Sequence, residues 1–340
     1  DRHFTITATN LDSVVQICQL IDGLPLGIEL ATSMLPMFSC ATLAKELTQS
    51  LAFLQAKTRD LPEEQQTLHA VFERSRRLLS PEGQLLLAKL AIFPGTFRLD
   101  AAEHIAGASM GLIKSLLDQS LLSSVNGERY AIHRTIRAFA QQQLQQWPEQ
   151  SKTLQAQYAD FYLEFLARLE YEPTEVTYTS HVEQVHAELD NLRTAWHWAV
   201  DQQNVTELKR CVNSFYLFYE IQGTYGEAAD LCDYALRQLL PLYQAQPNKV
   251  GTSLTWLIGR LQTCFAAWNS RLGRFAQGQA AYEASWAIWQ QEDSPIGSAL
   301  CLGYRGAWIK VSHPQQSAVL LTEALRQAQA SGLAWLQSLM

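Results

Sequence analysis

Residues 122–137 read Leu-Ser-Ser-Val-Asn-Gly-Glu-Arg-Tyr-Ala-Ile-His-Arg-Thr-Ile-Arg. Leu122 to Val125 and Arg129 to Ile132 are strand-like segments around Asn126-Gly127, a pair that accepts positive φ at both positions and is a strong hairpin signal. From Thr135 the period becomes helical, and a helix is expected to run to Trp147. Upstream, Leu68, Val71, Phe72 and Ser75 begin a helix. Ser80-Pro81-Glu82 is a cap followed by proline in the first turn, and an apolar stripe follows from Leu85 to Ile92. Leu99–Ala106 and Met110–Leu121 supply two more helices. Helices followed by a two-stranded hairpin and a closing helix describe a winged-helix module over residues 67–147.

The flanks are helical. Asp12 to Ile21 forms one stripe with Asp12 as its cap. Gly23 ends that helix, Pro25 can start the next, Leu26 to Met37 continues helically, and a further helix spans about Ala41 to Leu51. We expect a helical domain at 1–56 and a polar linker at 57–66. Beyond Pro148 the chain is helical, with a loop at Tyr171–Ser180. Gln222-Gly223-Thr224-Tyr225-Gly226 leads to Ala235-Leu236, Leu272-Gly273-Arg274-Phe275 leads to Trp286, and a weaker copy begins at Ser312. Helix, tight turn and helix, with small residues at the contacts, is the logic of stacked helical hairpins, so an α-solenoid of tetratricopeptide-like repeats is expected over 151–340. The expected fold is mainly α.

Composition narrows the function classes. The 340 residues are 47% hydrophobic and 17% charged with net charge −7, which excludes general disorder. No run of about 18 apolar residues occurs, so no membrane partner is expected. Residues 1–59, 60–150 and 151–340 carry net −1, −1 and −5, and a surface without basic excess suits no phosphate backbone. Six scattered cysteines without a CxxC pair fit a reducing, cytoplasmic setting. The chain starts at Asp1 without an initiator Met and stops at Met340 in an apolar-periodic segment, and we read it as part of a longer polypeptide.

Catalytic signatures are missing. GxxxxGK[ST], HExxH, GxSxG, GxGxxG and zinc-type Cys/His spacings do not occur, and no metal ligand set is expected. Two segments nevertheless resemble parts of nucleotide switches. Ile17-Cys18-Gln19-Leu20-Ile21-Asp22-Gly23-Leu24-Pro25-Leu26-Gly27-Ile28-Glu29-Leu30-Ala31 resembles the GLPL motif of NB-ARC ATPases, members of the STAND class of signal-transduction NTPases. Tyr130-Ala131-Ile132-His133-Arg134-Thr135-Ile136-Arg137, on to Leu144, resembles the MHD region closing their winged-helix domain. Gln66-Thr67-Leu68, Ser75, Leu78-Leu79-Ser80-Pro81-Glu82 and Phe93-Pro94-Gly95-Thr96-Phe97 match the bacterial branch in order, so that the resemblance covers about residues 12–147.

The resemblance implies an ADP or ATP site to which Gly23, Leu24, Pro25, His133 and Arg134 belong. The proline matching Pro25 packs on adenine, and the histidine matching His133 reaches the β-phosphate of ADP. Mg²⁺ and the P-loop would come from a domain upstream of Asp1, so the parent protein would be an ATPase and this segment alone no enzyme. Each residue also has a plainer reading, Pro25 as a loop-to-helix junction and His133 as a strand-end histidine. Arg134 departs from the family, which has an acidic residue there. An acid would cap the following helix and repel phosphate, whereas arginine can pair with phosphate.

In the expected recognition helix, Met110–Leu121, Lys114 is offset by Asp118, so this segment is expected to make no direct nucleic-acid contact. Eight of the nine tryptophans lie in 151–340. Most are expected to fill the spaces between helices, while Trp198 and Trp289, off the main stripes, are candidates for a ligand or partner groove. The resulting expectation is the regulatory and sensor portion of a STAND-type transcriptional or signalling regulator. The repeats would take a protein or small-molecule inducer, and activation would bring self-association. The alternative is a nucleotide-independent helical-repeat scaffold for protein–protein interaction.

Overall fold

Hydrophobic periodicity and helix caps carry most of this architecture into three dimensions. The structure is a computed structural model and describes residues 4–21, 28, 31–32, 35, 38–49, 76–119, 121–168, 182–245, 251–292 and 294–332. The expected helix over Leu26–Met37 falls mostly outside the described residues. So do the 57–66 linker, the helix start at Thr67–Ser75, the 171–180 loop and the chain end beyond 332. By its internal contacts the chain divides into two compact units, Asp1–Gln157 and Tyr158–Met340.

The first unit opens with α1 (Leu11–Leu20) and α2 (Cys40–Gln49). They pack through Ile17, Ile21, Leu43, Ala44 and Leu47, all buried. The cap of α1 is Asn10, not Asp12, which sits in the first turn. Asn10 spends its side chain on the preceding segment, accepting from Thr7 N at 2.8 Å and donating to the Thr5 carbonyl at 3.0 Å.

Next comes the winged helix: α3 (Pro81–Leu90), β1 (Phe97–Arg98), α4 (Leu99–Ala106), α5 (Met110–Asp118), β2 (Ser123–Val125), β3 (Arg129–Ala131) and α6 (Arg134–Leu144). Ser80 caps α3, its hydroxyl accepting from Gly83 N at 3.2 Å. Asn126 and Gly127 turn the hairpin with φ of 56° and 74°. Val125 opposes Arg129, so that Glu128 joins them in the loop. The sheet has a third strand that alternation could not show. Two-residue β1 lies on the other side of β3, in the antiparallel order β1-β3-β2. Phe97 stacks on Phe93 with ring centroids 4.3 Å apart and meets Tyr130 at 6.2 Å, and Leu86, Leu90 and Ile136 are buried as well.

Helix α7 (Pro148–Arg168) crosses the unit boundary. The second unit continues with α8 (Leu189–Asp201) and three hairpins: α9 (Val205–Gln222) with α10 (Tyr225–Ala245), α11 (Ser253–Arg271) with α12 (Phe275–Glu292), and α13 (Pro295–Ile309) with α14 (Pro314–Ser331). Asn204, Thr252 and Ser294 cap the first helix of each hairpin. The first two hairpins turn on Gly223 and Gly273 at φ 70° and 73°, the left-handed conformation that glycine adopts at least cost. Helix α11 contacts α12 within its hairpin and also α9, α10 and α13, so the first helices of successive hairpins lie side by side. This is the stacking of an α-solenoid.

Candidate functional site

The MHD-like segment forms the junction from β3 to α6. His133 is the N-cap residue of α6, with φ −54° and ψ 138° and without a side-chain cap bond. It is half-buried, and Arg134 beside it is exposed. Arg137, one turn further on, fastens the junction. Its Nη1 donates to the Pro94 carbonyl at 2.5 Å, and its Nη2 donates to the Gly95 and Ile132 carbonyls at 3.4 and 3.2 Å. Nearby, Arg129 Nε donates to Thr96 Oγ1 at 2.8 Å, while its Nη2 reaches the Thr96 carbonyl at 3.1 Å. The Phe93–Phe97 turn and the His133 junction are thus one construction, held by two guanidinium groups on backbone oxygens. Arg137, inside the MHD-like segment, and Arg129, just before it, were not singled out by the sequence reading.

Gly23, Leu24 and Pro25 lie outside the described residues. Flanking them, Val14, Ile17, Ile21, Ile28, Ala31, Leu35 and Leu43 line an apolar cavity of about 150 Å³. On α5, Lys114 and Asp118 are both exposed, as is Met110.

In the repeats the two tryptophans singled out part ways. Trp198 is half-buried on α8. Trp289 is 1% exposed, which removes it from any groove. Its ring fills the space left by two glycines on neighbouring helices: a Cβ on Gly259 would stand 2.8 Å from it, and one on Gly297 2.3 Å. Its Nε1 donates to Thr263 Oγ1 at 3.1 Å, and Thr263 pairs with Ser285 Oγ at 2.6 Å, so the indole nitrogen keeps a partner inside the core. Glycines inside the predicted helices were the available signal.

The polar chemistry of the repeats lies instead where α9, α11 and α13 meet. Arg260 is 1% exposed. Its Nε donates to Asn213 Oδ1 at 2.7 Å and its guanidinium lies 4.7 Å from the Tyr216 ring centre. Tyr216 stacks on Trp268 at 5.1 Å and meets Tyr304 at 5.3 Å. Its hydroxyl donates to Glu220 Oε2 at 3.1 Å, and Glu220 pairs with Arg271. Burial holds the Tyr216 phenol well above its ordinary range and pushes Tyr304 up to about 12, so both stay neutral at physiological pH. No group of three or more His, Cys, Asp or Glu able to hold a metal occurs among the described residues.

No family model matches the chain. By sequence it is 30% identical over 221 residues to a protein named "Putative HTH-type transcriptional regulator" in Mycobacterium tuberculosis and Mycobacterium bovis, a match that covers 62% of this chain and 25% of the relative. A second mycobacterial protein, uncharacterized by name, is 28% identical over 154 residues, covering 43% of this chain and 39% of its own. A crystal structure of a STAND protein with a tetratricopeptide repeat sensor, from Pyrococcus horikoshii, aligns with 91% of this chain and 54% of its own at 13% identity and TM-score 0.31. The chain is therefore similar, over about three fifths of its length, to proteins named as HTH-type transcriptional regulators, and it spans a quarter of theirs.

Proposed function

We propose that this chain is the regulatory and sensor portion of a STAND-type transcriptional regulator. In this reading the winged helix is a latch. ADP, held by a P-loop domain upstream of Asp1 together with Pro25 and His133, stabilises the closed state, and an inducer on the repeats shifts the population open. The observation that carries it is the His133 junction. The histidine of the MHD-like segment stands half-buried at the start of α6, in a turn fastened by Arg137 and Arg129. A ring held there can offer an N–H to phosphate at little entropic cost, because its backbone is already ordered. The regulator names of the mycobacterial relatives support the same reading.

The test is ADP affinity of the parent protein, wild type against His133→Ala, by equilibrium dialysis. Loss of one charge-assisted phosphate contact should weaken ADP by about tenfold or more. Equal affinities would sink the phosphate-contact role. Arg134 favours a second reading, a scaffold that binds proteins without nucleotide, because the residue is exposed and basic where the family has an acid. A parent gene without GxxxxGK[ST] upstream of Asp1 would decide for the scaffold.

A further inference from the structure

The hairpin turns 223–224, 272–274 and 310–313 adjoin along one edge of the second unit. Arg271, at the second turn, pairs with Glu220 and lies 5.1 Å from the centre of the Tyr225 ring at the first. Phe275, which opens α12, stacks on Trp308 near the end of α13, with an interplanar angle of 12° and centroids 6.1 Å apart. Arg305 lies 4.6 Å from the same Trp308 ring. These contacts hold neighbouring turns side by side and leave apolar groups in water. Phe275 is 58% exposed and Val311, on the third turn, 95%, and Ile221 and Leu272 are exposed too. One exposed aliphatic side chain is ordinary, whereas a row of them on adjoining turns marks a surface for a partner.

Charge along this edge has one sign. From Ser253 to Tyr282 and from Pro295 to Thr322, the stretches that carry the second and third turns, the sequence has five Lys or Arg and no Asp or Glu, inside a segment 151–340 whose net charge is −5. The acids at the first turn are engaged, Glu220 by Arg271 and Glu227 by Arg193. Arg274 and Lys310 are exposed and meet no carboxylate among the described residues. Helix stability does not account for Arg274, which stands directly before α12, where the helix dipole favours an acid; the first turns of α12 and α14 hold none. An occupant that brings carboxylates and apolar side chains together answers both features of the edge. Nucleic acid suits it less, since it would find few unpaired cations here and aliphatic groups that no phosphate engages.

We propose that this turn edge is the docking surface for an acidic segment of a partner protein, its carboxylates on Arg274 and Lys310 and its apolar side chains against Phe275 and Val311. The proposal deepens the sensor reading, on which its regulatory role rests, by naming the surface and the chemistry of the partner. The probe is a fluorescein-labelled peptide of three Glu-Glu-Leu-Phe repeats, titrated with this 340-residue chain and followed by fluorescence anisotropy. Lys-Lys-Leu-Phe repeats reverse its charge, Glu-Glu-Ser-Ser repeats remove its apolar groups, and an oligothymidylate of equal length offers phosphates instead. Expected are saturable binding of the acidic apolar peptide, none of the basic one, and binding weaker by about tenfold or more for Glu-Glu-Ser-Ser. Affinity should fall about tenfold in Arg274→Glu/Lys310→Glu and in Phe275→Ala. Arg326→Glu, an exposed reversal in the second half of α14, should keep it within about twofold. Should loss of the Phe275 ring disturb the fold, the charge variant, whose side chains are exposed, still decides. No binding of the acidic apolar peptide, equal binding of the basic one or of Glu-Glu-Ser-Ser, tighter binding of the oligothymidylate, full affinity in Arg274→Glu/Lys310→Glu, or an equal loss in Arg326→Glu overturns the surface. Docked peptide that leaves ADP release from the parent protein unchanged supports the surface and counts against the sensor reading alone.

Discussion

Trp289 shows how one side chain depends on residues far from it in sequence. Its ring occupies what Gly259 and Gly297 leave empty. Alanine at 297 gains helix propensity worth about 1 kcal/mol, but its Cβ would stand 2.3 Å from the indole, and overpacking of that kind costs about 1–3 kcal/mol. Gly297→Ala is therefore expected to lower the urea midpoint, and Gly297→Ala with Trp289→Leu to recover part of the loss. A double variant no more stable than Gly297→Ala alone would show that the clash is not with the ring.

Two tyrosines of the repeats bring a pH dependence with a definite sign. Burial raises both Tyr304 and Tyr282 to about 12, above the ordinary value of about 10. A folded-state value above the unfolded one means that their contribution is fully present below pH ~10 and is lost as pH climbs toward 12. Absorbance at 295 nm should show these two phenols titrating after the exposed ones, with the urea midpoint falling over the same interval. In Tyr304→Phe the late phase should shrink.

At the scale of the element, the β3–α6 junction is held by a side chain and not by pairing alone. Strands of two and three residues have little stability of their own. Arg137 adds bonds to the carbonyls of Pro94, Gly95 and Ile132, and a bond to a charged donor contributes about 1.5–3 kcal/mol. Arg137→Met keeps the apolar stem and removes the donors. Hydrogen exchange should then accelerate in 93–98 and 129–134 while α8–α14 keep their rates. Unchanged exchange at the wing would show that the hairpin needs no such fastening.

The elements were largely legible before the fold, for local reasons. Asn126-Gly127 announced the hairpin through its need for positive φ, Ser80-Pro81 announced the start of α3, and Gly223 and Gly273 marked two of the repeat turns. Strand β1 was not legible, since Phe97-Arg98 is too short to alternate and owes its conformation to β3. The Asp12 cap was misplaced because Asn10, two residues earlier, is tied to the chain before it. Arg260 passed unnoticed, since an arginine inside a helix pattern reads as a solvated face. Neighbouring helices bury Arg260 and set it over the Tyr216 ring.

For the whole molecule, the division into two units makes a prediction about coupling. The carbonyls that accept from Arg137 Nη1 and Nη2 lie at 94, 95 and 132 in the first unit, and Trp289 meets Trp256, Gly259, Thr263 and Gly297 in the second. In the double variant Arg137→Met/Gly297→Ala the two losses should add within about 0.5 kcal/mol, and each exchange signature should stay within its own unit. A coupling energy above that would mean that strain passes from one unit to the other.

By itself the sequence determined the mainly helical class, the hairpin, the repeat turns and the likeness to a nucleotide switch. Each of these follows from residues close together in the chain, through φ preference, capping and period. The tertiary structure alone decided that Trp289 is core, that Arg260 is buried against Tyr216 and how the His133 junction is fastened. Burial and charge balance are set by what other helices bring alongside, and no local pattern records that.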